Sequence, residues 1–129
     1  MTEAEVLFDV ESGVAVVTLN RPAAMNALTL PMMIAGAAGV ISVASNVIPE
    51  VMVDMVGAAR EGRWSEARAL HLAHHMVFSH LFLDTNPIPV KAAMAMKGLC
   101  EEVYRLPLCE MDDGLKQQLR TTLETAGVL

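Results

Sequence analysis

From Pro22 to Pro49 the chain carries no charged residue. A stretch that apolar is either enclosed by protein or crosses a bilayer. The turn residues inside it decide between the two. Asn26, Pro31, Gly36, Gly39 and Asn46 interrupt the run together with several Ser and Thr, and an apolar stretch broken in this way suits a buried strand-helix-strand element better than a membrane helix. Within it, Thr29-Leu30-Pro31 opens a short helix predicted to Ala38, with Pro31 tolerated in the first turn, and Gly39-Val40-Ile41-Ser42-Val43 reads as a buried strand.

The 129 residues suit one domain, residues 1–129, with enough length to bury a core. With 53% hydrophobic and 19% charged residues, the chain has more apolar side chains than a small globule easily hides. Part of that surface calls for a partner, and a homo-oligomer through residues 39–48 or 70–83 is predicted. A net charge of −6, no Lys/Arg run and 4% aromatics argue against a nucleic-acid ligand. Cys100 and Cys109 match neither a CxxC pair nor a zinc-ligand spacing, so two reduced, partly buried cysteines are expected. The opening Met1-Thr2-Glu3-Ala4-Glu5 is acidic and lacks the form of a signal peptide, so a cytoplasmic protein is expected.

Two β-rich runs, Val6 to Glu11 and Val14 to Asn20, flank Ser12-Gly13 and predict a hairpin. Pro22 ends it by lacking an N–H and restricting Arg21. Helices are predicted over Pro49–Ala59, closed by Glu61-Gly62, and over Trp64–Phe82, which is apolar nearly all round its axis and therefore expected to be buried on more than one side. The turn Asn86-Pro87-Ile88-Pro89 feeds a helix from Val90 to Leu99, and Asp112-Asp113-Gly114 caps a last one running to about Ala126. The fold class is mixed α/β and helix-dominated: an N-terminal β-hairpin, a short βα piece and a C-terminal bundle of three to four helices.

These residues carry a resemblance in two parts. Residues 27–129, with Ala27-Leu28-Thr29-Leu30-Pro31, Gly39 to Val43, Asn46, Asn86 to Lys91 and Arg105-Leu106-Pro107, resemble the C-terminal third of dihydrodipicolinate synthase, a pyruvate-dependent (β/α)8 aldolase. Residues 5–28, with Asn20-Arg21-Pro22 and Asn26-Ala27-Leu28, resemble the opening of an enoyl-CoA hydratase (crotonase) family protein. The two meet at Ala27-Leu28, which fits both, so the sequence reads as a fused or designed chimera, 1–28 crotonase-like and 29–129 aldolase-like.

The aldolase resemblance implies a Schiff-base lysine on the sixth barrel strand and a tyrosine on the fifth, both in segments that precede the matched part. No catalytic residue is therefore assigned. The resemblance carries over one substrate contact, Ile41, whose main chain matches a position beside bound pyruvate. Lys91 reads as a solvated helix lysine and Tyr104 as a packing residue with a wet hydroxyl. The crotonase resemblance implies an oxyanion hole and glutamates in segments beyond the match, and no coenzyme A site or other cofactor is expected.

One cluster belongs to neither family: His71, His74, His75 and His80 fall in one predicted helix. At 100° per residue the first three share a face and His80 lies opposite. Pairs of them suit Zn or Ni, but a closed tetrahedral site needs ligands from elsewhere. Three functions follow: a non-catalytic structural chimera, a synthase fragment active only with the missing barrel half, or a helical metal- or partner-binding module.

Overall fold

A computed structural model describes residues 6–12, 14–19 and 38–129. The chain forms two compact units, Met1–Val40 and Ile41–Leu129.

In the first unit, strand β1 (Val6–Glu11) pairs antiparallel with β2 (Val14–Leu19), in a register that sets Val6 opposite Leu19 and Glu11 opposite Val14. That register leaves two residues for the turn. Ser12, the first, has φ +52°, the sign that a two-residue primed turn demands of its central positions. The helix predicted over Leu30–Ala38, and the segments Asn20-Arg21-Pro22 and Asn26-Ala27-Leu28, lie outside the described residues except for Ala38, which is not helical.

In the second unit a 3-10 turn (Ala44–Asn46) leads into α1 (Pro49–Arg60), α2 (Trp64–Ala73), α3 (His75–His80), α4 (Ile88–Met96) and α5 (Asp113–Thr125). The predicted strand at Gly39–Val43 does not form: residues 39–42 are irregular and Val43 is a bend. Strand backbone needs a ladder on at least one side, and no described strand pairs with this segment. Its carbonyls are taken locally instead. Ser45 Oγ donates to Ser42 O, and both the backbone N–H and the side-chain amide of Asn46 donate to Val43 O, at 3.1 and 3.0 Å. Short polar side chains that bond nearby carbonyls in this way favour a turn over a ladder.

Two of the helices end in glycine closures, the first where the sequence predicts it and the second three residues before the predicted Leu99. At the end of α1, Gly62 adopts φ +74°, its N–H donates to Ala59 O at 3.1 Å and the next N–H, of Arg63, reaches back to Ala58 O at 2.8 Å. This is a Schellman closure, and the left-handed φ is why glycine stands there. Gly98 closes α4 in the same manner at φ +73°. α4 begins at Ile88, two residues before the predicted Val90, because Pro89 needs no hydrogen-bond acceptor in a first turn. At α5 the Asp112 carboxylate accepts from the N–H groups of Gly114 and Leu115.

The predicted helix Trp64–Phe82 is two helices, broken at His74 with φ −111° and ψ 9°. His74 Nδ1 lies 2.9 Å from Leu70 O, the carbonyl that also takes the His74 backbone N–H at 3.2 Å. Two donors thus converge on one acceptor at the break. The break lets α2 pack on α1 while α3 packs on α5.

The core of this unit is built from Val47, Ala58, Val77, Leu81, Ala92, Ala93, Leu119 and Leu123, all fully enclosed. α5 supplies the regular part of it: Leu115 half-buried, then Leu119 and Leu123 fully buried, at a spacing that keeps one face inward. Each such leucine contributes about 1.5–3 kcal/mol relative to exposure. α4 is the most enclosed helix, with Ile88, Pro89, Val90, Ala92 and Ala93 all buried against α5 and the 3-10 turn. The α2–α3 run is not enclosed on several sides. Ala67, Val77 and His80 are its buried residues, whereas Trp64, Leu72 and Met76 are exposed, as is Phe82 just beyond it. Among the described residues no helix is long and apolar enough to cross a membrane.

Candidate functional site

The residues with chemistry to offer fall in three places. Ile41, the substrate contact implied by resemblance, stands on the irregular segment and is fully exposed. Among the described residues no strand pairs with its main chain.

The second place joins α4, the loop after it and α5. Lys91 is half-buried and has protein partners as well as solvent: its Nζ donates to Val103 O and sits over the Tyr104 ring, 5.2 Å from the centroid. The Tyr104 hydroxyl lies 3.2 Å from Ile88 O and 3.2 Å from Glu102 Oε1, so it has protein partners where a wet hydroxyl was the reading from sequence. Partial burial, followed by the charge of Glu102, pushes the phenol well above the usual tyrosine range. Glu102 in turn accepts from Lys116 Nζ on α5 at 2.6 Å, with Glu110 3.9 Å from the same ammonium. Beside Lys116 a shallow depression of about 290 Å³ is lined by Met96, Asp113, Lys116, Gln117 and Arg120. Sequence reading found Lys91 and Tyr104 but missed Glu102 and Lys116. Their pairing spans a loop, which leaves no periodic trace.

Lys97 is similarly engaged. Its Nζ donates to Val47 O at 2.5 Å, tying the end of α4 to the 3-10 turn. A lysine acting as an imine-forming nucleophile must be a free amine. Lys91 and Lys97 are both anchored on carbonyls. The two contacts tie α4 to the loop after it and to the 3-10 turn.

The third place is the histidines, which the structure separates. His80 is buried between helices, with Nδ1 2.6 Å from Thr122 Oγ1 and Nε2 3.4 Å from Gln118 Nε2, and it locks α3 to α5. His74 is tied to Leu70 O. His71 and His75 remain neighbours, their ring centroids 5.8 Å apart, and His71 stacks on Phe78 at 5.5 Å. The predicted triad His71, His74 and His75 is not gathered: among the described residues no group of three or more His, Cys, Asp or Glu is placed to hold a metal ion. Both cysteines are free. Cys100 is half-buried, but Cys109, in the loop beyond Pro107, is exposed and not partly buried as predicted.

Comparison with known proteins places this geometry. The model of the Dihydrodipicolinate synthetase family matches residues 17–126. The 4-hydroxy-tetrahydrodipicolinate synthase of Aquifex aeolicus is 50% identical over 99 residues, covering 77% of this chain and 34% of the relative. The chain therefore spans about a third of the length of the curated relatives it matches, and the matched part is their C-terminal third. Among solved structures, dihydrodipicolinate synthase from Aquifex aeolicus superposes with a TM-score of 0.75 at 48% identity, over 78% of this chain and 34% of that one. Dihydrodipicolinate synthase from Thermotoga maritima gives 0.76 at 34% identity, over 86% and 40%. The family match begins at residue 17, so it runs through Asn20-Arg21-Pro22 and Asn26-Ala27-Leu28 and past the proposed seam. The crotonase-like origin of residues 5–28, and the chimera built on it, gain no support from these matches. Their extent and identity together make this chain a member of the Dihydrodipicolinate synthetase family.

Proposed function

We propose that this chain is the C-terminal part of a pyruvate-dependent lyase of the dihydrodipicolinate synthase kind, inert alone and active only when the rest of the barrel is supplied. The observation that carries the reading is the 34% coverage of a relative to which the chain is 50% identical. The state of the lysines supports it: Lys91 and Lys97 are held by Val103 O and Val47 O, and neither stands on a strand. In the whole enzyme, a strand-borne lysine from the other part would form the imine with pyruvate, and this chain would close the barrel. Ile41 would present its main chain to the substrate only once flanking strands hold residues 39–43 extended.

The exposed apolar side chains Ile41, Leu72, Met76 and Phe82 support association through residues 39–48 or 70–83, in a cytoplasmic setting. The occupant of that surface is either the missing barrel half or a second copy of this chain.

The test is borohydride trapping with pyruvate, read by mass spectrometry, on this chain alone and mixed with a separately produced N-terminal two thirds of a homologous synthase. The expected result is no adduct on this chain in either case, with aldol activity in the mixture above that of the N-terminal part alone. An adduct on Lys91 or Lys97 overturns the reading. So does a mixture no more active than its N-terminal component.

A further inference from the structure

We infer that His71 and His75 form a two-histidine site for a borderline divalent cation such as Ni²⁺, with His74 and His80 excluded from it. His71 ends one turn of α2 and His75 begins α3, and their ring centroids are 5.8 Å apart. A metal bound to one nitrogen of each of two imidazoles at about 2.1 Å, with a ligand angle between 90° and 110°, sets the centroids about 4.5–5.3 Å apart. The observed spacing exceeds the upper end of that range by about half an ångström and the lower end by about 1.3 Å, and the exposed His75 side chain is able to rotate toward His71 to close it.

The partners of the other two rings make the assignment specific. His74 Nδ1 is engaged with Leu70 O, and both nitrogens of His80 face side chains of α5. His71 and His75 have ring contacts but no hydrogen bond on any nitrogen, so no nitrogen gives up a partner to bind a cation. The stack on Phe78, at an interplanar angle of 23°, fixes the plane of His71 beforehand. Arg68, one turn before His71, opposes a bound cation and holds the site to modest affinity. With two protein ligands, the remaining coordination positions belong to water or to groups from outside the chain.

The probe is Ni²⁺ alone, titrated calorimetrically into the full chain carrying Cys109→Ser, which removes the exposed thiol as a competing ligand. One equivalent is expected to bind. His71→Asn and His75→Asn should each weaken binding about tenfold or more, because the second imidazole acts at high effective concentration once the first is bound. His74→Gln should leave it within about twofold. Paramagnetic broadening of histidine ring signals gives a readout independent of any variant's folding: those of His71 and His75 should broaden first. No binding, equal loss in all three variants, or first broadening at His74 or His80 overturns the assignment.

Discussion

The α4–α5 pair and the α2–α3 run both carry apolar residues, yet they use them differently: α5 has only three leucines, all on one face, whereas α2 and α3 carry more and enclose fewer. In α4 and α5 the apolar residues face one another, so Val90, Ala92, Leu119 and Leu123 are buried, and the loop between the helices is pinned by Tyr104, Glu102 and Lys116. In α2 and α3 the helix axis is broken at His74, few residues reach the core, and Leu72 and Met76 are left in solvent. Apolar content measures what a helix is able to bury. The neighbours it finds determine what it does bury.

Point substitutions sharpen this contrast. The largest effect should come from Leu119→Ala, which leaves a cavity in an enclosed site and should cost about 2–5 kcal/mol in urea unfolding. Leu72→Ala, the same change on the other run, should stay within about 0.5 kcal/mol. Equal losses at the two positions would erase the distinction. Asp112→Ala removes the cap that holds the first turn of α5, and a loss of about 1 kcal/mol is anticipated. Glu102→Gln breaks a half-buried ion pair with Lys116 and should cost at most about 1 kcal/mol, a loss that shrinks as salt is added.

The smallest effect is one of pH. The Tyr104 phenol is raised in the folded chain, first by partial burial and then by Glu102, so the unfolded chain releases this proton at lower pH. Its contribution to stability is therefore whole below the ordinary tyrosine value of about 10 and declines as pH rises beyond it. Tyr104→Phe should flatten the fall in stability above that pH. Parallel curves for the two proteins would show that Tyr104 plays no part. For association, Ile41→Lys should shift light scattering across a dilution series toward the smaller species. An unchanged profile would remove residues 39–48 from the interface.

Elements governed by their own residues were legible in the sequence. Asp112 announces α5, Glu61-Gly62 ends α1, and Ser12-Gly13 fits the two-residue turn between β1 and β2. What could not be read depends on partners remote in sequence. Gly39–Val43 has the composition of a buried strand, but a strand is a relation between chains of backbone, and no described strand pairs with it. The continuous helix Trp64–Phe82 failed for a subtler reason. Its apolar pattern, with a high count all round the axis, masked a break at which one imidazole turns back on Leu70 O. At the candidate sites, the sequence offered Lys91 as solvated because nothing in its neighbourhood names Val103 or Tyr104 as partners. His80 was set apart by helical phase, and the structure turns that separation into a bond with α5.

The break at His74 also divides the molecule in time. A continuous helix opens from its ends, so its backbone amides lose protection in order from the termini inward. Here a new pair of ends lies in the middle of the run, and its two sides are anchored to different helices, α1 on one side and α5 on the other. Amide exchange should therefore report two separate openings, with the amides after His74 exchanging in step with α5 and those before it in step with α1. A cation bridging His71 and His75 would span that boundary and slow both openings together.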